Sequence, residues 1–473
     1  MKTVNLHCTI HLTDEVNCRI DGLRAEHISM LWDKFGIMVE GAYHMPAVQL
    51  RRWDGKIRFF DKTGNTYSRI LDEILPYISA WNYEVDINDQ RIPAPVITDR
   101  IDADFFNLQN FQLRPYQVEV VNALLDEGSG FAICATGSGK TSMCAALSMV
   151  LHLNGLQTLI IVPSSDLVTQ TVNEFRHHLS AYPVTIGEYS GSQKDIDHPI
   201  VVATWQSLQN VPHYMGFFNA VIVDEAHGAK ANVIKELINT HGKHISHRYG
   251  CTGTFPKPLV DKYSLKLSIG RIVREVPAAW LIEQGYLSEI LIEPVETVDE
   301  DPDLPDYASE RAYLTNHESR NEAIARYIQE LRQKYGNTLV LVNTQSLAQG
   351  REIADLIPDA VYLDGTSSSS IRQEQYLQYA DRDDMIVIAS AGIASTGISI
   401  DRIFCLVLLD TGKSFVKCIQ AVGRGLRRKG DKCKIFVVDL YSRLKYAKKH
   451  AKDRKTYYKE AEYPMTAVKK LKY

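Results

Sequence analysis

Hydrophobic and polar positions change their rhythm twice along the chain. The first 90 residues or so open with apolar side chains alternating at Val4, Leu6, Cys8 and Ile10, the two-residue period of a half-buried strand. They continue in a mixed pattern that contains HMPAVQLRRWDGKIRFFD, and a small α+β domain is expected there. From 88 to 112, NDQRIPAPVITDRIDADFFNLQNFQ carries a proline pair and little periodicity, so it reads as a connection. Beyond it, short β-branched runs alternate with helical stretches: FAICA at 131–135, TLIIV at 158–162, IVVAT at 200–204 and AVIVD at 220–224. A second series follows with TLVLV at 338–342, AVYL at 360–363, MIVIAS at 385–390, LVLLD at 406–410 and KIFVVD at 434–439. Continuously apolar strands separated by helices predict parallel sheets covered on both faces, hence two α/β domains in tandem. Between the two series, EPVETVDEDPDLPD at 293–306 holds seven acidic residues and three prolines, which predicts a hinge or an exposed loop.

Composition narrows the class. A length of 473 residues fits about three domains, and 45% hydrophobic with 23% charged residues excludes a disordered chain. Lys and Arg total 53 against 57 acidic residues, a net charge of -4, so a nucleic-acid surface has to be local rather than spread over the whole protein. One such place is the segment from Arg443 on, where 11 Lys or Arg face three acidic residues, with Tyr446, Tyr457, Tyr458, Tyr463 and Tyr473 interleaved. It reads either as a strip along a duplex backbone or as a solubilising tail. The eight cysteines have no CxxC pair and no histidine at zinc spacing, so reduced, mostly buried thiols are expected. The first residues lack the apolar core of a signal peptide, and no run of 18 apolar residues occurs, which predicts a soluble intracellular protein.

Candidate chemistry begins at ATGSGKT, 135–141, placed after a strand and before a helical stretch. There, backbone N–H groups of a glycine-rich turn and the helix N-terminus can surround phosphate oxygens, with Lys140 on the β and γ phosphates and Thr141 on Mg²⁺. Thr136, Gly137, Ser138 and Gly139 complete that loop; the first glycine of the strict GxxxxGK[ST] pattern is replaced by Cys134. A GKT tripeptide alone also fits an ordinary turn with a surface lysine. The second element, VIVDEAH at 221–227, runs an apolar strand into two carboxylates: Asp224 suited to hold Mg²⁺ and Glu225 to orient and deprotonate a water. The third is QAVGRGLRR at 420–428. Arginines three apart share a helix face, so Arg424 and Arg427 can reach a γ-phosphate together, although basic helices more often face solvent.

With these elements in this order, the chain resembles the superfamily 2 helicases and translocases over roughly residues 112–442. RPYQ at 114–117 matches an adenine-reading motif, with Arg114 and Gln117 as nucleotide contacts; VPSSDLVTQ at 162–170, ATWQSL at 203–208, TGT at 252–254, LVLVNTQSLAQG at 339–350 and ASAGIASTGIS at 389–399 stand where the other motifs stand. The resemblance implies two tandem RecA-like parallel-sheet domains, ATP and Mg²⁺ as cofactors, Gln420 beside Arg424 and Arg427 as catalytic residues, and Gly397 at the nucleotide. It further implies His227, Thr252 and Thr254 as coupling residues, and Ser165, Thr204, Gln206, Thr344, Ser390 and Thr396 as sequence-independent DNA contacts. For each hydroxyl or amide, local capping of a strand or helix end is the competing reading. Motif III departs from the usual Ser-Ala-Thr, and Ser399 stands where many relatives carry Asp.

STGIS, ATWQSL and above all RRWDGKIRFFD are similar to the phage UvsW-type branch-migration helicases. That likeness implies an N-terminal DNA-binding domain in which Arg51, Arg52, Trp53, Lys56 and Arg58 meet DNA, with Phe59 and Phe60 either stacking surfaces or core. It implies action on branched or forked DNA (Holliday junctions, forks and displacement loops) alongside phage recombination and replication proteins, in the cytoplasm of an infected bacterial host and without membrane attachment. The expected organisation is 1–95 DNA-binding domain, 96–111 linker, 112–288 first RecA-like domain, 289–442 second RecA-like domain and 443–473 basic tail. Three alternatives stay open: an RNA helicase, a duplex translocase that does not separate strands, and a vestigial NTPase fold that only binds nucleic acid.

Overall fold

Two large sheets, one parallel throughout its described pairings and one parallel except at an antiparallel edge pair, and a smaller four-stranded sheet account for most of the strands. The computed structural model describes residues 6–109, 111–224, 231–253, 256, 258–300, 302, 304–343, 345–365, 367, 378, 382–390, 403–410, 434–460 and 462–473. Contacts divide the chain into a first unit, 1–134 with 139–275, and a second, 135–138 with 276–473.

In the first unit the N-terminal sheet runs Asn65–Tyr67, Asn17–Asp21, Leu6–Leu12, Tyr83–Asp89. The last pair is parallel and the other two are antiparallel. The alternation read at Cys8 and Ile10 is that of the strand Leu6–Leu12, whose inward positions Cys8, Ile10 and Leu12 are buried. Phe59 and Phe60 are core, 1% exposed each. The same unit carries an eight-stranded sheet, ordered Gln193–Lys194, Ile186–Ser190, Ile200–Thr204, Thr158–Val162, Ala220–Asp224, His247–Thr252, Ser129–Cys134, Ile272–Val276. Its central strands are buried along their whole length, which is why they read as unbroken apolar runs.

N-terminal domain and first RecA-like domain share a core. Leu267, on the helix Leu259–Ser268, packs among Phe59, Ile70, Ile74 and Ile78 of the small domain. The Phe59 and Tyr263 rings lie 5.3 Å apart, and Tyr263 and Lys266 both donate to the Glu73 carboxylate. Arg69 Nη1 donates to Ser129 Oγ at 2.6 Å, and burial pulls its guanidinium down to about 10. Of residues 96–111, read as linker, several described ones pack on the first RecA-like domain. Ile97, Ile101 and Phe106 are buried, Ile101 exchanges two hydrogen bonds with Asn122 at 2.9 Å each, and the Phe106 ring stacks on His178 at 4.9 Å.

The second unit is built on a seven-stranded sheet ordered Val361–Leu363, Ile386–Ser390, Thr338–Val342, Cys405–Leu409, Lys434–Ser442, Glu289–Thr297, Lys469–Leu471, every described pairing parallel. Of the acidic, proline-containing segment 293–306 expected to be a hinge or loop, residues 293–297 instead complete the strand Glu289–Thr297, and the described residues from 298 to 306 form neither helix nor strand; Asp299 among them is fully buried. Asp299 takes Arg320 Nε at 3.0 Å, Thr297 Oγ1 at 2.6 Å and Tyr473 Oη at 2.8 Å. A buried cation and three hydroxyls, counting that of Ser442, let a carboxylate sit where sequence reading placed water.

The basic segment from Arg443 forms the helix Lys445–Glu460 and the strand Lys469–Leu471. Arg454, 2% exposed, grips Asp439 with Nη2 at 2.8 Å and Nε at 3.1 Å. Glu310 caps the helix, accepting from the backbone N–H of Tyr446 at 2.9 Å and Ala447 at 2.7 Å. No described helix is long and apolar enough to cross a membrane.

Candidate nucleotide and DNA sites

The strand Ser129–Cys134 delivers the chain to the C-terminal edge of the first parallel sheet, where the loop 135–139 turns into the helix Lys140–Leu153. Two left-handed residues make that turn, Gly137 at φ 86° and Gly139 at φ 82°. Within it, Ser138 N donates to Ala135 O at 3.1 Å. The helix begins directly after Gly139, and a helix N-terminus that opens from a glycine-rich turn is the arrangement that suits an anion. Lys140 Nζ donates to Cys134 O at 3.3 Å, folded over its own loop.

Asp224 ends the strand Ala220–Asp224 two strands away. Registers set it beside Cys251, which in turn stands opposite Ala132, while Thr252 stands opposite Ile133. Lys140, Thr141, Asp224 and Thr252 therefore converge on one sheet edge from separate parts of the sequence. Cys144, buried beneath, has its thiol held well above the usual range by a hydrogen bond to Cys251, by burial and by Asp224; burial pushes the Cys134 thiol up to about 12. The six described cysteines are all buried free thiols, while Cys418 and Cys433 fall outside the described residues. Magnesium carried on substrate phosphates needs few protein ligands, and one carboxylate, Asp224, with one hydroxyl, Thr141, fits that need.

Gln117 sits in the first turn of the helix Pro115–Glu127, 4% exposed. Its Oε1 accepts from Arg114 N at 2.8 Å, which turns Nε2 toward the phosphate loop, 2.3 Å from where a Cβ on Gly139 would lie.

Among the expected DNA contacts, Ser165 opens the helix Ser165–His178 and is exposed, whereas the cap is its neighbour Ser164, whose hydroxyl accepts from Leu167 N. Thr204 is buried and caps the helix Trp205–Gln209 through Ser207 N at 3.2 Å. Gln206 is exposed and donates to Pro163 O at 3.3 Å. Ser390 ends its strand, buried. In the small domain, Arg51 and Arg52 are exposed. Lys56 Nζ pairs with Asp33 at 3.0 Å, and Trp53 Nε1 donates to Lys56 O at 3.0 Å. Arg58 pairs with Asp54 and lies 3.6 Å over the Trp32 ring. Glu225, His227, Thr254, Thr344, Thr396, Gly397, Gln420, Arg424 and Arg427 lie outside the described residues.

Sequence reading missed the buried arginines. Arg248, fully buried, donates to the carbonyls of Ile245, Ser268 and Gly242 at 2.7, 3.1 and 2.9 Å. Arg320 holds Asp410 as well as Asp299, with Nη2 at 2.8 Å from the former. Asp410, the residue after the Cys405–Leu409 strand, has φ 45°, and the chain passes from there to the 411–433 segment. An arginine on a polar helix carries no sequence signal that separates a buried partner from water.

The family of the type III restriction enzyme res subunit matches residues 110–257, and the helicase conserved C-terminal domain matches 319–429. Together with two parallel sheets and a phosphate loop at the edge of the first, they define the class: this chain belongs to the superfamily 2 helicases. Within it the chain has a UvsW-like relationship, being 26% identical over 473 residues to the ATP-dependent DNA helicase uvsW of Enterobacteria phage T4, a match that covers 95% of this chain and 93% of that one. The DNA 3'-5' translocase XPB2 of Sulfurisphaera tokodaii is 23% identical over 83% of this chain and 92% of its own. The chain spans about half the length of two haloarchaeal relatives that it also matches. A solved type ISP restriction-modification enzyme, LlaBIII bound to DNA, shares the fold with TM-score 0.57 at 13% identity, covering 85% of this chain and 34% of that one.

Proposed function

We propose that this protein is an ATP-dependent DNA helicase or translocase that unwinds or branch-migrates forks, Holliday junctions and displacement loops in phage recombination and replication. The observation that carries the ATPase half is the meeting of Lys140, Thr141 and Asp224 at one sheet edge, at the N-terminus of the helix Lys140–Leu153. The branched-DNA half is supported by likeness to the phage helicase along nearly the whole chain, small domain included.

In this reading Lys140 neutralises the β and γ phosphates, and Thr141 and Asp224 hold Mg²⁺, which supplies Lewis-acid stabilisation of the transferred phosphoryl group. Glu225 takes the proton of the attacking water, while Gln420, Arg424 and Arg427 offset charge that builds on the γ-phosphate. Gln117 and Arg114 meet the adenine, and Gly397 the nucleotide from the other motor domain. His227, Thr252 and Thr254 pass the change to DNA contacts at Ser165, Thr204, Gln206, Thr344, Ser390 and Thr396. Residues 1–95 bind DNA, and the action takes place in the cytoplasm of the infected host beside phage recombination proteins.

The test is ATP-dependent conversion of a labelled Holliday junction beside a linear duplex and an RNA duplex, with Lys140→Ala as control. Preferential junction conversion is the expected result. ATP hydrolysis without strand separation on any substrate would favour the second reading, a duplex translocase, which the name of the Sulfurisphaera relative supports.

A further inference from the structure

Residues 39–55 leave the small domain between two short strands, Gly36–Met38 and Lys56–Arg58, paired in antiparallel register from Gly36 opposite Arg58 to Met38 opposite Lys56. Val39 N donates to Gly55 O at 2.8 Å and closes the base. The excursion holds itself. It contains the 3-10 turn Ala42–His44 and the helix Pro46–Gln49, and Ala47 O accepts from both Arg52 N at 2.8 Å and Trp53 N at 3.1 Å. Ala42 is fully buried, and at Gly55, φ 79°, a Cβ would come within 2.8 Å of Met38 Sδ and 3.0 Å of Ala42 Cβ.

A self-supporting loop normally turns its large apolar groups inward. Here Tyr43 is 69% exposed, Leu50 62% and Met45 40%, three large apolar groups that one ordered segment turns to solvent. The neighbouring charges are Arg51 and Arg52, both exposed. Of the two acidic residues in the segment, Glu40 and Asp54, the second is already paired with Arg58. Apolar groups next along the chain to two exposed cations fit an exposed base pair flanked by phosphates, the chemistry of a DNA branch point.

The mount is rigid. Phe59, next after the closing strand, is core; its N donates to Phe35 O at 3.0 Å and its ring meets Tyr263 of the first RecA-like domain. The excursion is thereby fixed to the unit that carries Lys140 and Asp224.

Resting on the DNA-motor reading, we propose that residues 39–55 stack on the terminal base pair at a branch point, Tyr43 and Leu50 against the base face and Arg51 and Arg52 on the flanking phosphates. The probe is a Holliday junction with 2-aminopurine at the branch-point pair. Wild-type protein should change its fluorescence on binding, and Tyr43→Ala/Leu50→Ala should lose that change and convert junctions more slowly by on the order of tenfold. Tyr43→Phe, which keeps the ring, should restore both. Arg51→Ala/Arg52→Ala should lower the slope of log affinity against log salt by about 2. Unchanged junction conversion and fluorescence in the Tyr43→Ala/Leu50→Ala protein, with the same thermal unfolding as wild type, would overturn the proposal. So would a change in oligomeric state by light scattering, which would assign the surface to a second copy of this chain. If wild-type ATPase responds to no DNA at all, it is the motor reading that fails.

Discussion

The side-chain amide of Gln117 is packed against the Cα of Gly139, so closely that a methyl group there would stand 2.3 Å from Nε2. Arg114 N fixes the other end of that amide at 2.8 Å. The residue expected to read the base and the loop expected to hold the phosphates are thus one packed unit, and a disturbance of either reaches the other.

Gly139→Ala therefore meets two obstacles, contact with Gln117 and a left-handed φ of 82°, the latter costing about 1–2 kcal/mol for a residue with a Cβ. Nucleotide affinity should fall at least tenfold in a binding titration. Adding Gln117→Ala removes the contact but not the φ, so the double variant should recover only part of the loss.

Lys140→Ala should abolish hydrolysis, measured as phosphate release. Arg427→Ala should bind ATP normally and hydrolyse it slower by on the order of a thousandfold. Wild-type turnover in the second variant would remove Arg427 from the γ-phosphate.

Most of the parallel-sheet architecture was legible because strands buried on both faces must be apolar throughout: Thr158–Val162, Ile200–Thr204 and Thr338–Val342 announce themselves. The strand His247–Thr252, which joins Asp224 to the phosphate loop in register, did not. It contains His247 and Arg248, polar side chains that are buried because backbone carbonyls take them up: Pro95 O lies 3.2 Å from His247, and Arg248 donates to Ile245 and Gly242 just before it and to Ser268 beyond. The strand Glu289–Thr297 was hidden for the same reason, its acidic character answered by groups far along the chain. Phosphate-loop residues were readable because turn chemistry is local; the packing of Gln117 on Gly139 was not, since it is set by how two helices start on one sheet.

Asp299 offers a pH test. Burial raises its carboxyl, but Arg320 and the hydroxyls of Ser442, Thr297 and Tyr473 outweigh burial and hold it below the ordinary carboxylate value. A group depressed in the folded state binds its proton more readily when unfolded, so its stabilisation is full at neutral pH and is lost as pH falls through the carboxylate range. Thermal unfolding of the second unit should drop as pH is lowered below about 4, and Asp299→Asn should flatten that dependence. At neutral pH the same substitution leaves Arg320 buried beside Asp410 alone and should cost on the order of 3 kcal/mol.

Leu267→Ala should destabilise by about 2–5 kcal/mol. Because Leu267 is counted in the core of the small domain, Trp32 and Trp81 fluorescence should report the loss together with the unfolding of the first RecA-like domain. Two separate transitions would contradict a shared core.

The seam between the small domain and its motor is thus not where the sequence changes character, near residue 95, but inside the motor, along Tyr263, Lys266 and Leu267. A graft of the N-terminal domain onto another helicase would have to bring the helix Leu259–Ser268 with it. Transferred without that helix, the module would expose an apolar floor and leave Glu73 bereft of both its donors; transferred with it, the recipient would inherit an arm already welded to its engine.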